Sequence, residues 1–124
     1  MGILRILHLE DDFLDAAMVR RALSRAGIDS ELVLAASGAE FRAALEGSRF
    51  DLIISDYQLP AYNGKAALDF ARQKAPATPF IFFSALNRED VAGEGLGDFS
   101  EFIRKEWPDQ LVAAVKDLLK WGCA

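Results

Sequence analysis

One cysteine in 124 residues, Cys123, leaves no internal disulfide to staple the chain, which suits a reducing compartment. No apolar run approaches the ~20 residues that cross a bilayer, and residues 1–10 lack the small and apolar run of a secretory signal. The chain is therefore expected to be cytoplasmic, with no membrane partner. Basic residues are in deficit too: 14 Lys and Arg stand against 19 Asp and Glu, for a net charge of −5. That balance argues against direct nucleic-acid binding, which needs clustered cations to neutralise phosphates. Arg20, Arg21 and Arg25 read most simply as the solvated face of a helix. Linkers, repeats and low-complexity tracts are lacking, so residues 1–124 read as one domain, long enough for a single sizeable core.

What is present is a regular alternation of two patterns. ILRILHL (3–9) is a mostly apolar run that stops at Glu10-Asp11-Asp12. In the next segment Leu14, Ala17, Met18 and Ala22 recur at helical spacing, and Gly27 supplies the stop. ELVLAA (31–36) reads as a second strand. Ser37 to Glu40 forms a capping box ahead of a helix carrying Phe41, Ala44 and Leu45 on one face. DLIIS (51–55) is a third strand, and a helix follows Gly64. FIFF (80–83) and EFIR (101–104) are the fourth and fifth strands. Pro108 opens a last helix with Leu111, Val112, Val115, Leu118 and Leu119 as its apolar stripe; Asp109 near its start and Lys116 and Lys120 near its end match the helix dipole.

Strands alternating with helices imply a parallel sheet covered on both faces, and nearly continuous apolar strands are what such burial requires. Five strands point to a doubly wound, flavodoxin-like α/β fold of order 2-1-3-4-5, whose ligand crevice opens at the carboxyl ends of strands one and three. Glu10, Asp11 and Asp12 leave strand one, and Asp56 leaves strand three. Ser84 ends strand four and Lys105 ends strand five on the same rim. Clustered carboxylates repel one another unless a cation or a raised pKa offsets them. An all-oxygen set with open water positions favours Mg²⁺ over Ca²⁺. Asp56 is then free to act as an oxygen nucleophile in phosphoryl transfer, with Ser84 and Lys105 placed to contact phosphoryl oxygens. Plainer readings stand beside these: Glu10 or Asp12 as a helix cap, Ser84 as a strand terminator, and Phe102 as a core aromatic.

LEDD (9–12), SDYQLPAYNG (55–64), FFSA (82–85) and FIRK (102–105), in this order and at compatible spacing, resemble the receiver domain of bacterial response regulators in two-component signalling, from about residue 3 to residue 120. The resemblance implies a CheY-like fold and a single phosphoacceptor domain. It implies that Asp56 accepts a phosphoryl group from a phosphohistidine on a sensor histidine kinase or a histidine phosphotransfer protein. The conformational change that follows would signal to a downstream protein partner or fused domain. It further implies that Glu10 and Asp11 hold Mg²⁺ with Asp56 and the backbone carbonyl of Gln58, with Asp12 one place beyond the pair. Ser84 would be the switch hydroxyl, Lys105 the partner lysine, and Phe102 the aromatic switch. By the same mapping the chain is a signalling switch whose only catalysis is its own phosphotransfer and slow dephosphorylation. His8, the sole histidine, lies inside strand one, is expected to be neutral and semi-buried and is assigned no chemistry, so the chain is read as acceptor and not donor.

Two departures from the family pattern stand out. Glu106, not proline, follows Lys105, so the loop after strand five is built differently, in a manner common in receivers fused to histidine kinases. The fourth helix should fall near 88–97, where REDVAGEGLG carries three glycines at a cost of roughly 1 kcal/mol each in an exposed helix. A short, irregular or mobile segment is expected there. In this family the face built on that helix commonly transmits the signal. The alternative function is therefore a phosphorylation-independent interaction module with a receiver fold. A dehalogenase-like hydrolase is disfavoured because Gln58 stands where a second acid is needed. A flavin-binding crevice lacks its phosphate-cradling turn after strand one.

Overall fold

Apolar residues on alternate sides of each strand divide the interior into two cores. The computed structural model describes residues 3–119. Its elements are β1 (Leu4–Leu9), α1 (Phe13–Arg25), β2 (Ser30–Ala35), α2 (Gly38–Gly47), β3 (Leu52–Ser55), β4 (Gln58–Leu59), β5 (Tyr62–Asn63), α3 (Gly64–Lys74), β6 (Phe80–Ser84), a 3-10 segment (Arg88–Glu94), β7 (Glu101–Arg104) and α4 (Pro108–Leu119). The main sheet is parallel with order β2-β1-β3-β6-β7. Counting only its five strands, this is the expected order 2-1-3-4-5.

On one face Leu7, Leu9, Ile53, Phe80 and Phe82 pack against α2 and α3 through Phe41, Leu45 and Leu68. On the other, Ile6, Ile54, Ile81, Phe83 and Ile103 pack against α1 and α4 through Val19, Leu23, Leu111 and Val115. Each residue of the pairs Leu7–Ile6 and Phe82–Phe83 thus serves the opposite core, as the strand's period of two requires.

Three local differences from the sequence reading have physical causes. First, α1 buries Ala16, Val19 and Leu23, not the set Leu14, Ala17, Met18 and Ala22, and Leu14 is 76% exposed. Apolar residues cover more than one face of α1, so periodicity alone does not choose the buried one. Second, Ser37 Oγ accepts from the Glu40 amide at 3.2 Å, but Glu40 reaches past it to the Ala36 amide at 2.9 Å, one residue beyond a standard box. Third, Pro60 and Ala61 close a small antiparallel hairpin, β4–β5, between β3 and α3. A Cβ at Gly64 would clash with the rings of Tyr57 and Phe82, so only glycine lets the hairpin fold down at that point.

The expected short fourth helix is the seven-residue 3-10 segment, stopped by Gly95 in the left-handed region (φ +70). Val91 is its one buried residue. The Lys105–Glu106 bond is trans, since no cis peptide occurs among the described residues, and Glu106 pairs with Arg104. Lys120 and Cys123 lie outside the described residues.

Candidate acidic site at the carboxyl ends of the strands

The parallel register sets the site. Leu9 is opposite Ser55, so the next residues, Glu10 and Asp56, leave adjacent strands together, and the Asp56 amide bonds Leu9 O at 2.9 Å. Ser84 is opposite Arg104, and the Lys105 amide bonds Ser84 O at 2.9 Å. Four chain segments remote in sequence are thereby fixed by backbone hydrogen bonds before any side chain acts.

Glu10, Asp11 and Asp56 each offer one carboxylate oxygen, and these oxygens lie within 4.8 Å of one another. Glu10 and Asp56 are buried and Asp11 is exposed. Lys105 Nζ reaches three acids: Asp15 Oδ2 at 2.6 Å, Glu10 Oε1 at 2.8 Å and Asp56 Oδ2 at 3.1 Å. The Glu10 contact is an ion pair without good hydrogen-bond geometry, so this fully buried oxygen still lacks a directed partner. Its other oxygen accepts from the Asp12 amide at 3.0 Å. Asp56 Oδ1 accepts from the Tyr57 amide at 2.7 Å, leaving Oδ2 to Lys105.

Burial pushes the Glu10 carboxyl above its ordinary value and the Asp56 charge adds to this, only partly offset by Lys105 and the Asp12 amide. For Lys105, burial alone would lower the ammonium. The carboxylates of Asp15, Glu10 and Asp56 outweigh it and hold the group well above its usual range. Lys105 is a fixed positive charge at neutral pH.

The remaining residues of the sequence reading fall into place unequally. Asp12 is the N-cap of α1, its Oδ1 accepting from Leu14 at 2.8 Å and Asp15 at 3.1 Å, which is the plainer of its two readings. Ser84 is buried at the end of β6, and its hydroxyl oxygen accepts from the Leu86 amide at 3.2 Å. Gln58 is exposed in β4, its amide 3.5 Å from Asp56 Oδ1. Phe102 is half-buried against Phe82 at 5.4 Å and against Tyr57 and Phe99, each at 6.3 Å. His8 is fully buried with neither ring nitrogen partnered, and burial with the nearby Lys105 charge lowers it to about 3, so it is neutral as expected. Asp15, the shortest contact of Lys105, was not singled out from sequence; its one signal is an acid in the first turn after the Asp12 cap.

Hard carboxylate oxygens, one of them buried without a directed partner, suit a divalent cation such as Mg²⁺. Glu10, Asp11 and Asp56 are the described residues that would hold it.

A family model for the response regulator receiver domain matches residues 6–116. The transcriptional activator protein IrlR of Burkholderia pseudomallei is 32% identical over 125 residues, covering 98% of this chain and 52% of that protein. The regulator of RpoS of Escherichia coli K12 is 31% identical over 114 residues, covering 92% of this chain and 31% of that protein. The chain thus spans about half the length of the first relative and about a third of the second. Among solved structures, the receiver domain of a sensor histidine kinase from Pseudomonas aeruginosa PAO1, with a magnesium ion in its active-site cleft, superposes with a TM-score of 0.81 at 21% identity. It covers 96% of this chain and 99% of that one. At that identity the likeness concerns the fold.

Proposed function

The chain belongs to the response regulator receiver domain family, and from that premise we propose that it is a single phosphoacceptor domain over residues 1–124. In this reading Asp56 receives the phosphoryl group of a phosphohistidine on a sensor histidine kinase or histidine phosphotransfer protein. The observation that carries it is the placement of Asp56: buried at the end of β3, beside Glu10 and Asp11 and paired with Lys105.

In the step, an Asp56 carboxylate oxygen attacks phosphorus, a P–O bond forms, and the P–N bond to the donor imidazole breaks. The electron pair leaves on the imidazole nitrogen. Glu10, Asp11, Asp56 and the Gln58 carbonyl would hold Mg²⁺, which would supply positive charge against the phosphoryl oxygens. Lys105 moves from the carboxylates to a phosphoryl oxygen, and the Ser84 hydroxyl donates to another. Phe102 follows as the aromatic switch. Hydrolysis of the acyl phosphate resets the domain. Phe13 and Leu14, 78% and 76% exposed, stand two and three residues after Asp11, and exposed Trp107 stands two after Lys105. Such apolar neighbours of an acidic crevice support a protein donor. The output goes to a downstream protein or fused domain, in the cytoplasm. Among the described residues no helix is long and apolar enough to cross a membrane.

The 3-10 segment in place of a fourth helix favours a second reading, a phosphorylation-independent interaction module. Intact mass after incubation with Mg²⁺ and a small acyl phosphate separates the two. The wild type gains one phosphoryl group and Asp56→Asn gains none. A folded wild type that gains nothing, from this donor or from a phosphorylated histidine phosphotransfer protein, leaves the interaction module.

A further inference from the structure

At the edge of the core shared by α1 and α4, these two helices leave an open trough of about 540 Å³ between them. Met18, Ala22, Val112 and Ala113 give it an apolar floor of mostly short side chains. Exposed Arg21 and Arg25 stand on the α1 wall and exposed Lys116 on the α4 wall, against one acid, Asp109. Among the described residues none of these three cations takes part in an ion pair. In a chain of net charge −5 this is a local reversal of sign, three unpaired cations to one acid around an apolar strip.

We propose that this trough docks an acidic amphipathic helix of a partner protein. Short floor residues allow close approach of a helix, whose apolar side chains at i, i+3 or i+4 and i+7 would cover Met18, Ala22 and Val112. Flanking carboxylates would pair with Arg21, Arg25 and Lys116, fixing its place along the trough. The walls run from Met18 to Ala26 and from Pro108 to Lys116, about 12 Å at 1.5 Å per residue, or roughly two turns of docked helix. A nucleic acid or an anionic membrane would meet a strongly acidic molecule around so narrow a basic strip, which disfavours both. None of the trough residues belongs to the acidic site, so the inference does not depend on phosphorylation. It gives the domain a partner surface where the 3-10 segment offers no helical face.

The probe is a synthetic helical peptide of about 14 residues, ~21 Å long, with leucines along one face and glutamates flanking them. Its control carries lysine for every glutamate. Titration into the full chain, without Mg²⁺ or phosphoryl donor, is followed by backbone amide shifts. The expected result is saturable binding with shifts confined to residues 18–26 and 108–116. Affinity falls about 10-fold or more in the Arg21→Glu/Arg25→Glu variant, and the lysine peptide then becomes the preferred ligand. Lys116→Glu repeats the readout from the other wall should the double variant fail to fold. Absence of saturable binding, shifts elsewhere, or binding indifferent to charge reversal would overturn the proposal. So would a dimer dissolved by the same reversal, which assigns the trough to a second copy, or preferred binding of vesicles of anionic lipid. Failure here leaves the mass experiment on Asp56 untouched, and the converse holds.

Discussion

Lys105 joins three acids that would otherwise repel one another, and its ammonium is held charged by them. Glu10, Asp11, Asp56 and Lys105 could be read from sequence because each lies within two residues of the end of an apolar strand, and strand ends of a parallel sheet converge by topology. Asp15 could not, because only the angle of α1 against β7 decides which first-turn acid meets the lysine. His8 was legible as neutral but not as unpartnered; that takes the packing around it. Its two buried nitrogens without hydrogen bonds make a specific pH dependence. The folded state holds the imidazole neutral down to about pH 3, while the unfolded chain protonates near its ordinary value. Below that value the unfolded state binds the extra proton, so stability falls as pH falls through this window, by roughly 1.4 kcal/mol per pH unit from this group. His8→Leu removes both buried polar atoms at similar volume. Urea titrations from pH 7 to pH 4.5 should show the variant losing less stability than the wild type. Parallel curves would contradict the assignment.

At the level of elements, the order of five strands and their helices was legible because periods of 2 and 3.6 alternate cleanly and caps mark the starts. The buried face of α1 was not, because Phe13, Leu14, Ala17 and Met18 extend its apolar character to the exposed side. Where that excess lies is visible only in the fold: Met18 and Ala22 floor a trough, and Phe13 and Leu14 are exposed at the start of α1. The β4–β5 hairpin was signalled only as a bend at Pro60 and Gly64. Its turn places Ala61 at φ +60, in the left-handed region where an L side chain is strained. Ala61→Gly relieves that strain, against the larger entropy glycine loses on folding. A net gain of about 0.5–1 kcal/mol is expected in thermal or urea unfolding. Destabilisation would mean that the alanine methyl makes packing contacts outweighing its strain.

The whole molecule is a two-sided sheet whose C-terminal edge gathers charge, with the proposed docking trough on its α1–α4 side. The glycines at 93, 95 and 97 reduce the segment before β7 to two turns of 3-10 helix, with Val91 its only buried residue. Such a segment has little burial to hold it and suits a role that depends on changing shape. Its weakness was legible from composition alone, whereas the trough between α1 and α4 needed the packing of two helices. Family membership makes a phosphoryl switch the expected function, and the geometry that supports it is the meeting of Glu10, Asp11 and Asp56 with the Lys105 charge in one place.

Central to this account is Asp56 as the phosphoryl acceptor. The most direct test is to phosphorylate the protein with an acyl phosphate and Mg²⁺, reduce the product with borohydride, and locate the resulting homoserine by tandem mass spectrometry. The account predicts homoserine at position 56 and nowhere else, and none when Mg²⁺ is chelated. Homoserine at another aspartate, or none from protein whose mass shows a phosphoryl group, would contradict it.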